Sequence, residues 1–101
     1  MNNADRTEYL AALETFQAAS DNVQETEDRI LATRQYQADY KQDLESLADV
    51  EANQEKIVRT RKFMEQLGQM ELDQISKLIT LRHQKSHAAT RVSIQAQRAG
   101  I

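Results

Sequence analysis

Apolar residues recur along most of the chain at alternating spacings of three and four, which is how one face of an α-helix reads in sequence. The first run is Tyr9, Leu13, Phe16, Ser20, Val23, Glu27 and Ile30. The pattern slips by about one residue near positions 32–34. It resumes at Tyr36, Tyr40, Asp43, Leu47, Val50, Gln54, Ile57, Arg61 and Met64. Gly68, Glu71, Ile75, Leu78, Arg82, Lys85, Ala89, Val92 and Ala96 continue it. A shortened spacing of this kind reads as a stammer, which overwinds a coiled coil locally.

Ser20, Glu27, Asp43, Gln54, Arg61, Glu71, Arg82 and Lys85 all fall on this seam. Polar seam residues cost stability and can fix register or oligomeric state. Their number argues against a parallel dimer of single long helices. Leu31, Leu44, Val58, Phe63, Leu67, Met70, Leu72, Ile79 and Leu81 add apolar surface beside the seam. A stripe of that width suits a bundle helix better than a strict two-stranded coil.

Three places offer a break. Ser20-Asp21-Asn22 is the first, and positions 49–54 are the second, with Ser46-Leu47-Ala48-Asp49 as a weak capping box. Gly68 is the third. The apolar face continues in phase across it through Ile57, Met64, Leu67, Ile75 and Leu78, so Gly68 reads as an interior helical residue.

The pattern therefore predicts an all-α fold. It is a long helical hairpin, or antiparallel coiled-coil-like bundle, in one domain over residues 1–101. An acidic arm covers about 5–50 and a basic arm about 54–98, with a turn near 49–54 and frayed termini. Each arm would be ~67 Å long at about 1.5 Å per residue. An antiparallel dimer of single helices and a three-helix layout broken near Asp21 and Gly68 are the alternatives.

Composition strengthens the helical reading. The 101 residues include no proline and two glycines, so few tight turns can form. Alanine, glutamine, glutamate, leucine, lysine and arginine predominate, and these favour helix. With two Phe, three Tyr and no Trp, a single core would be thin, and oligomerisation is expected to supplement it. Without cysteine, disulfides and thiolate metal sites are excluded. Neither a secretory signal nor an apolar run of the ~20 residues needed to span a membrane is visible, and a cytoplasmic, soluble protein is expected.

Charge divides unevenly. Residues 1–55 hold thirteen acids and four bases, and residues 56–101 hold three acids and nine bases. An acidic arm against a basic one favours antiparallel pairing, although each exposed pair contributes only ~0–1 kcal/mol. Lys77, Arg82, Lys85, Arg91 and Arg98 are the candidate contacts to a polyanion or an acidic partner.

Candidate chemistry is sparse. His83 and His87 have the i, i+4 spacing of two zinc ligands, but Gln84 occupies the place of a metalloprotease general base. Arg82, Lys85 and Arg91 would repel a dication, so the pair reads as exposed polar surface. The carboxylates at Glu25, Glu27 and Asp28, and at Asp43, Glu45, Asp49, Glu51 and Glu55, lack the Glu-x-x-His pairing of di-iron bundles. They read as a solvated face. Tyr36 and Tyr40 read as seam residues with hydroxyls at the rim.

No catalytic, cofactor or metal site is predicted. The expected function is non-enzymatic: a scaffold, adaptor or chaperone-like partner acting by helix-in-groove pairing. Its stripe would be Leu13, Phe16, Val23, Ile30, Leu47, Ile57, Met64, Leu67, Ile75 and Leu78. The partner would be a second copy of the chain or another helical protein. A helical nucleic-acid-binding protein using the basic half, and a structural oligomer such as a phage or filament component, are the rivals.

Overall fold

The computed structural model describes residues 3–47 and 53–101. Two helices account for nearly all of them. Helix α1 spans Asn3–Leu47 and α2 spans Gln54–Ala99. Together they form an antiparallel hairpin with no strand among the described residues. The expected turn at 49–54 lies largely outside the described residues, but the helix ends bracket it. Helix α1 passes unbroken through Ser20, Asp21 and Asn22, and α2 through Gly68, which excludes the three-helix layout. Ser46 is not a cap for α2. It lies in the last turn of α1, where its hydroxyl donates back to the Gln42 carbonyl at 3.1 Å. Leu47 of that proposed capping box ends α1, and Ala48 and Asp49 fall outside the described residues.

The helix ends are chemically suited to their places. Asp5 and Glu55 lie in the first turns and Arg98 in the last turn of α2, each opposite in sign to the helix dipole there. Helix α2 closes with Gly100 at φ +72°. The Gly100 amide donates to the Gln97 carbonyl at 3.1 Å, and the Ile101 amide to the Ala96 carbonyl at 2.9 Å. This pair of bonds is a Schellman motif, which a left-handed glycine permits.

The seam runs without the slip expected at 32–34. In α1 one heptad series is Tyr9, Phe16, Val23, Ile30, Gln37 and Leu44. The other is Asp5, Ala12, Ala19, Thr26, Thr33, Tyr40 and Leu47. Every one of these is buried or half-buried. In α2 the series are Ile57, Met64, Glu71, Leu78, Lys85, Val92 and Ala99, and Asn53, Thr60, Leu67, Gln74, Leu81, Ala88 and Gln95, all again buried or half-buried. The apolar pattern misplaced the seam because several true seam positions carry Ala, Thr or Gln, while larger apolar residues sit one position away.

Contacts divide the chain into two compact units. The terminal unit joins Met1–Glu27 to Lys77–Ile101, and the turn-proximal unit is Asp28–Ser76. In the terminal unit Val23, Leu78 and the alanines Ala12, Ala88 and Ala99 are buried. Lys85 Nζ stands 6.0 Å from the centre of the Phe16 ring, a cation–π distance, and Arg82 pairs with Glu27 at 3.4 Å. Here an acidic α1 segment does meet a basic α2 segment. Gln95 is also buried, and its side-chain oxygen has no hydrogen-bond partner among the described residues.

In the turn-proximal unit Ile30 and Ile57 are buried, and a polar layer interrupts the apolar seam. The Thr33 hydroxyl proton is shared between the Arg29 carbonyl at 2.9 Å and the Gln74 side-chain oxygen at 3.0 Å. At the next residue of α1, Arg34 Nε donates to Glu71 Oε1 at 2.7 Å. Tyr40 then stacks on Phe63, with ring centres 6.0 Å apart and planes 18° from parallel. As α1 advances from Thr33 to Tyr40, its partner in α2 retreats from Gln74 to Phe63, which is the antiparallel register.

Candidate interaction surface

The seam residues leave two flanks on each helix, and these flanks differ. In an antiparallel pair, the position just after each second-series residue lies on one flank, and the position just before each first-series residue lies on the other. On the first flank Leu13, Ser20 and Glu27 of α1 and Gly68, Ile75, Ala89 and Ala96 of α2 are half-buried. On the second flank every residue is exposed: Glu8, Thr15, Asn22, Arg29, Tyr36 and Asp43 in α1, and Phe63, Met70 and their charged or polar equivalents in α2. Glycine, alanine and serine on the first flank admit close approach, whereas the aromatic and thioether side chains on the second stand off.

Within the turn-proximal unit the open flank is apolar. Tyr36 is 59% exposed, and Phe63 and Met70 are each 49% exposed. With Tyr40, Gln66 and Leu67 they line a cleft of about 270 Å³. A second cleft of about 400 Å³ continues from the same Tyr40–Phe63 pair toward the turn, between Asp43, Ser46 and Leu47 on α1 and Lys56, Arg59 and Thr60 on α2. The stacked rings line both clefts, which follow one another along the same flank, the first uncharged and the second carrying charged side chains. Side chains of roughly 200 Å² each, half exposed, leave on the order of 300 Å² of apolar area from these three residues alone, a patch size that often marks a binding site. A further cleft near the turn, on the opposite flank, is lined by Leu44, Glu45, Gln54, Ile57 and Arg61 and is more polar in its walls.

The residues expected to meet a partner mostly meet the other helix instead. Val23, Ile30, Ile57 and Leu78 are buried, and Leu13, Phe16, Leu47, Met64, Leu67 and Ile75 are half-buried. They cover α1 with α2. Tyr36 is not a seam residue: Gln37 takes that place, and Tyr36 turns to the open flank. Of the basic set, Arg82 and Lys85 turn toward α1, on Glu27 and Phe16, while Lys77, Arg91 and Arg98 are exposed. Phe63 and Met70 were legible only as apolar extras. The signal that finds them is a second heptad series in α2, Lys56, Arg59, Phe63, Gln66, Met70 and Asp73, spaced three and four apart.

Electrostatics in this unit centre on Glu71. Hydrogen bonding from Arg34 holds its carboxyl below the ordinary value of 4.5 against an opposing effect of desolvation, with further lowering from a hydrogen bond to Gln37 and from the charge of Arg34. His83 and His87 are both exposed, and no group of three potential metal-binding side chains occurs among the described residues. Neither helix is long and apolar enough to cross a membrane over the described residues. No protein-family model matches the chain, and no curated protein or solved structure is detectably similar to it.

Proposed function

We propose that the chain is a non-enzymatic interaction module whose hairpin presents the Tyr36–Tyr40–Phe63–Met70 flank to another helix. The single observation that supports this reading is the asymmetry of the flanks. The hairpin spends its heptad seam on itself, and of the large apolar side chains it leaves exposed, Tyr36, Phe63 and Met70 share one groove on the flank where every position is exposed. A groove with an aromatic floor, apolar walls and a polar rim suits an amphipathic helix, which would insert anchors at i, i+3, i+4 and i+7. A scaffold, adaptor or chaperone-like role fits such a surface. The basic stretch supports nucleic-acid binding less well, because Arg82 and Lys85 lie against α1 and that segment of α1 is itself acidic.

Photo-crosslinking tests the reading. A benzophenone amino acid replaces Met70 on the open flank, or Gln69 one position round the helix as a control, in cells that make the protein. Protein adducts concentrated at position 70, mapping to helical peptides, are expected. Equal labelling at 69 and 70, or adducts chiefly to nucleic acid, would contradict it. The rival has its own test in fluorescence anisotropy with a labelled DNA or RNA duplex. Binding that weakens about a thousandfold between 50 and 200 mM salt is its mark.

A further inference from the structure

We infer that the occupant of the open flank is a second copy of this chain, with α2 lying antiparallel on its counterpart across a two-fold axis at Gln66. This inference rests on the interaction-module reading and assigns the partner.

Charge and symmetry within the turn-proximal unit point to this partner. Residues 56–62 of α2 carry Lys56, Arg59, Arg61 and Lys62 and no acid. Residues 65–73 carry Glu65, Glu71 and Asp73 and no base. This stretch of α2 therefore changes sign along its length, between Lys62 and Glu65. A closed pair of identical surfaces requires that each residue i meet a residue j and the reverse. Antiparallel self-pairing about Gln66 satisfies this on the open flank, because it sets Arg59 of each copy on Asp73 of the other.

The open-flank series fixes the centre at Gln66, within the stretch where the sign reverses. Gln66 has Phe63 three residues before it and Met70 four after it, and Arg59 and Asp73 stand seven residues away on either side. At 1.5 Å per residue, Arg59 and Asp73 each lie about 10 Å along α2 from the axis. The two-fold then places Arg59 of one copy beside Asp73 of the other, with Phe63 and Met70 of both copies closing the apolar middle. Another protein's acidic helix would suit Lys56 and Arg59 but would meet Asp73 at the far end with like charge. The surface that carries the required reversal of sign is this one.

The apolar contribution, on the order of 300 Å² per copy, is well below the ~800 Å² per partner of a standard interface. A reversible dimer is expected, forming near ~100 µM rather than at nanomolar concentration.

Sedimentation equilibrium and light scattering of the purified chain over about 5–500 µM test this. A concentration-dependent dimer is expected for the native chain. Phe63→Asp, at a half-exposed site, should abolish it while leaving the helical circular dichroism intact. Arg59→Asp should weaken it by tenfold or more, and Arg59→Asp with Asp73→Arg should recover most of the loss. A chain that stays monomeric at the highest concentration would overturn the inference, while adducts to a different protein at position 70 would leave the broader reading standing. A dimer indifferent to Phe63→Asp would place the interface elsewhere and overturn it also. Rescue by Asp43→Arg in place of Asp73→Arg would replace the α2–α2 pairing with α1 on α2, and so would contradict it.

Discussion

Two glycines show how one residue type has opposite effects in two backbone settings. Gly68 sits inside α2 with nothing within 4 Å of where a Cβ would be. Gly68→Ala removes the conformational freedom that glycine adds to the unfolded chain, and should raise stability by up to about 1 kcal/mol. Gly100 has open space as well, but its φ of +72° is the left-handed conformation that β-carbons disfavour. Gly100→Ala should cost about 1 kcal/mol and fray the last turn. Thermal melts of the two variants, read against the native chain, should move in opposite directions. Glu71 supplies a pH dependence. Its carboxyl is held below 4.5 in the folded chain, so the charged form is the one favoured by folding. The stability it adds is present above the unfolded value and is lost as pH falls through the lower folded value. Glu71→Gln should flatten that part of the acid-unfolding curve, and Arg34→Met should do the same by removing the group that lowers the carboxyl. A native-like acid limb in both variants would show that the Arg34–Glu71 contact has no such role.

Each helix resolves into two interleaved heptad series, and only part of this was legible. One series of each helix was traced correctly where its members are large and apolar, as at Tyr9, Phe16, Val23 and Ile30, or at Ile57, Met64 and Leu78. The other was displaced by one residue, to Leu13, Ser20 and Glu27 in α1, because the true positions hold Ala12, Ala19 and Thr26. Hydrophobicity alone ranks Leu13 above Ala12, but only Ala12 lies at the close approach of the helices and is buried. The apparent stammer had the same origin, since the seam passes through Thr33 and Gln37. Those polar positions have their own expected energetics. Thr33→Val leaves the Gln74 side-chain oxygen without its donor in a part-buried layer and should cost about 1 kcal/mol. Thr33→Val combined with Gln74→Leu removes both partners and should restore or exceed native stability. The double-mutant cycle should therefore show coupling of about 1 kcal/mol between the two sites, whereas additive effects would mean that the layer contributes no net stabilisation.

At the scale of the whole molecule, the acidic and basic division and the absence of turn residues were enough to anticipate a hairpin. The flank that it leaves open was not, because Tyr36 reads as a seam residue and Phe63 and Met70 as apolar extras beside the seam, and they become a surface only once the seam is placed. The account depends first on the chain folding back on itself. With no native cysteine, Gln35→Cys and Gln69→Cys can carry spin labels on outward positions of α1 and α2 in the turn-proximal unit. Electron–electron double resonance, with the labelled chain diluted into an excess of unlabelled chain, then reads a distance within one molecule. A hairpin with helix axes about 8–10 Å apart predicts a separation on the order of 20 Å that survives dilution. A single continuous helix would put the labels ~51 Å apart, at about 1.5 Å for each of the intervening residues. A short distance that disappears on dilution would mean that the seam is closed by another copy. Either of the last two results would contradict the fold from which the open flank, and the function proposed for it, were derived.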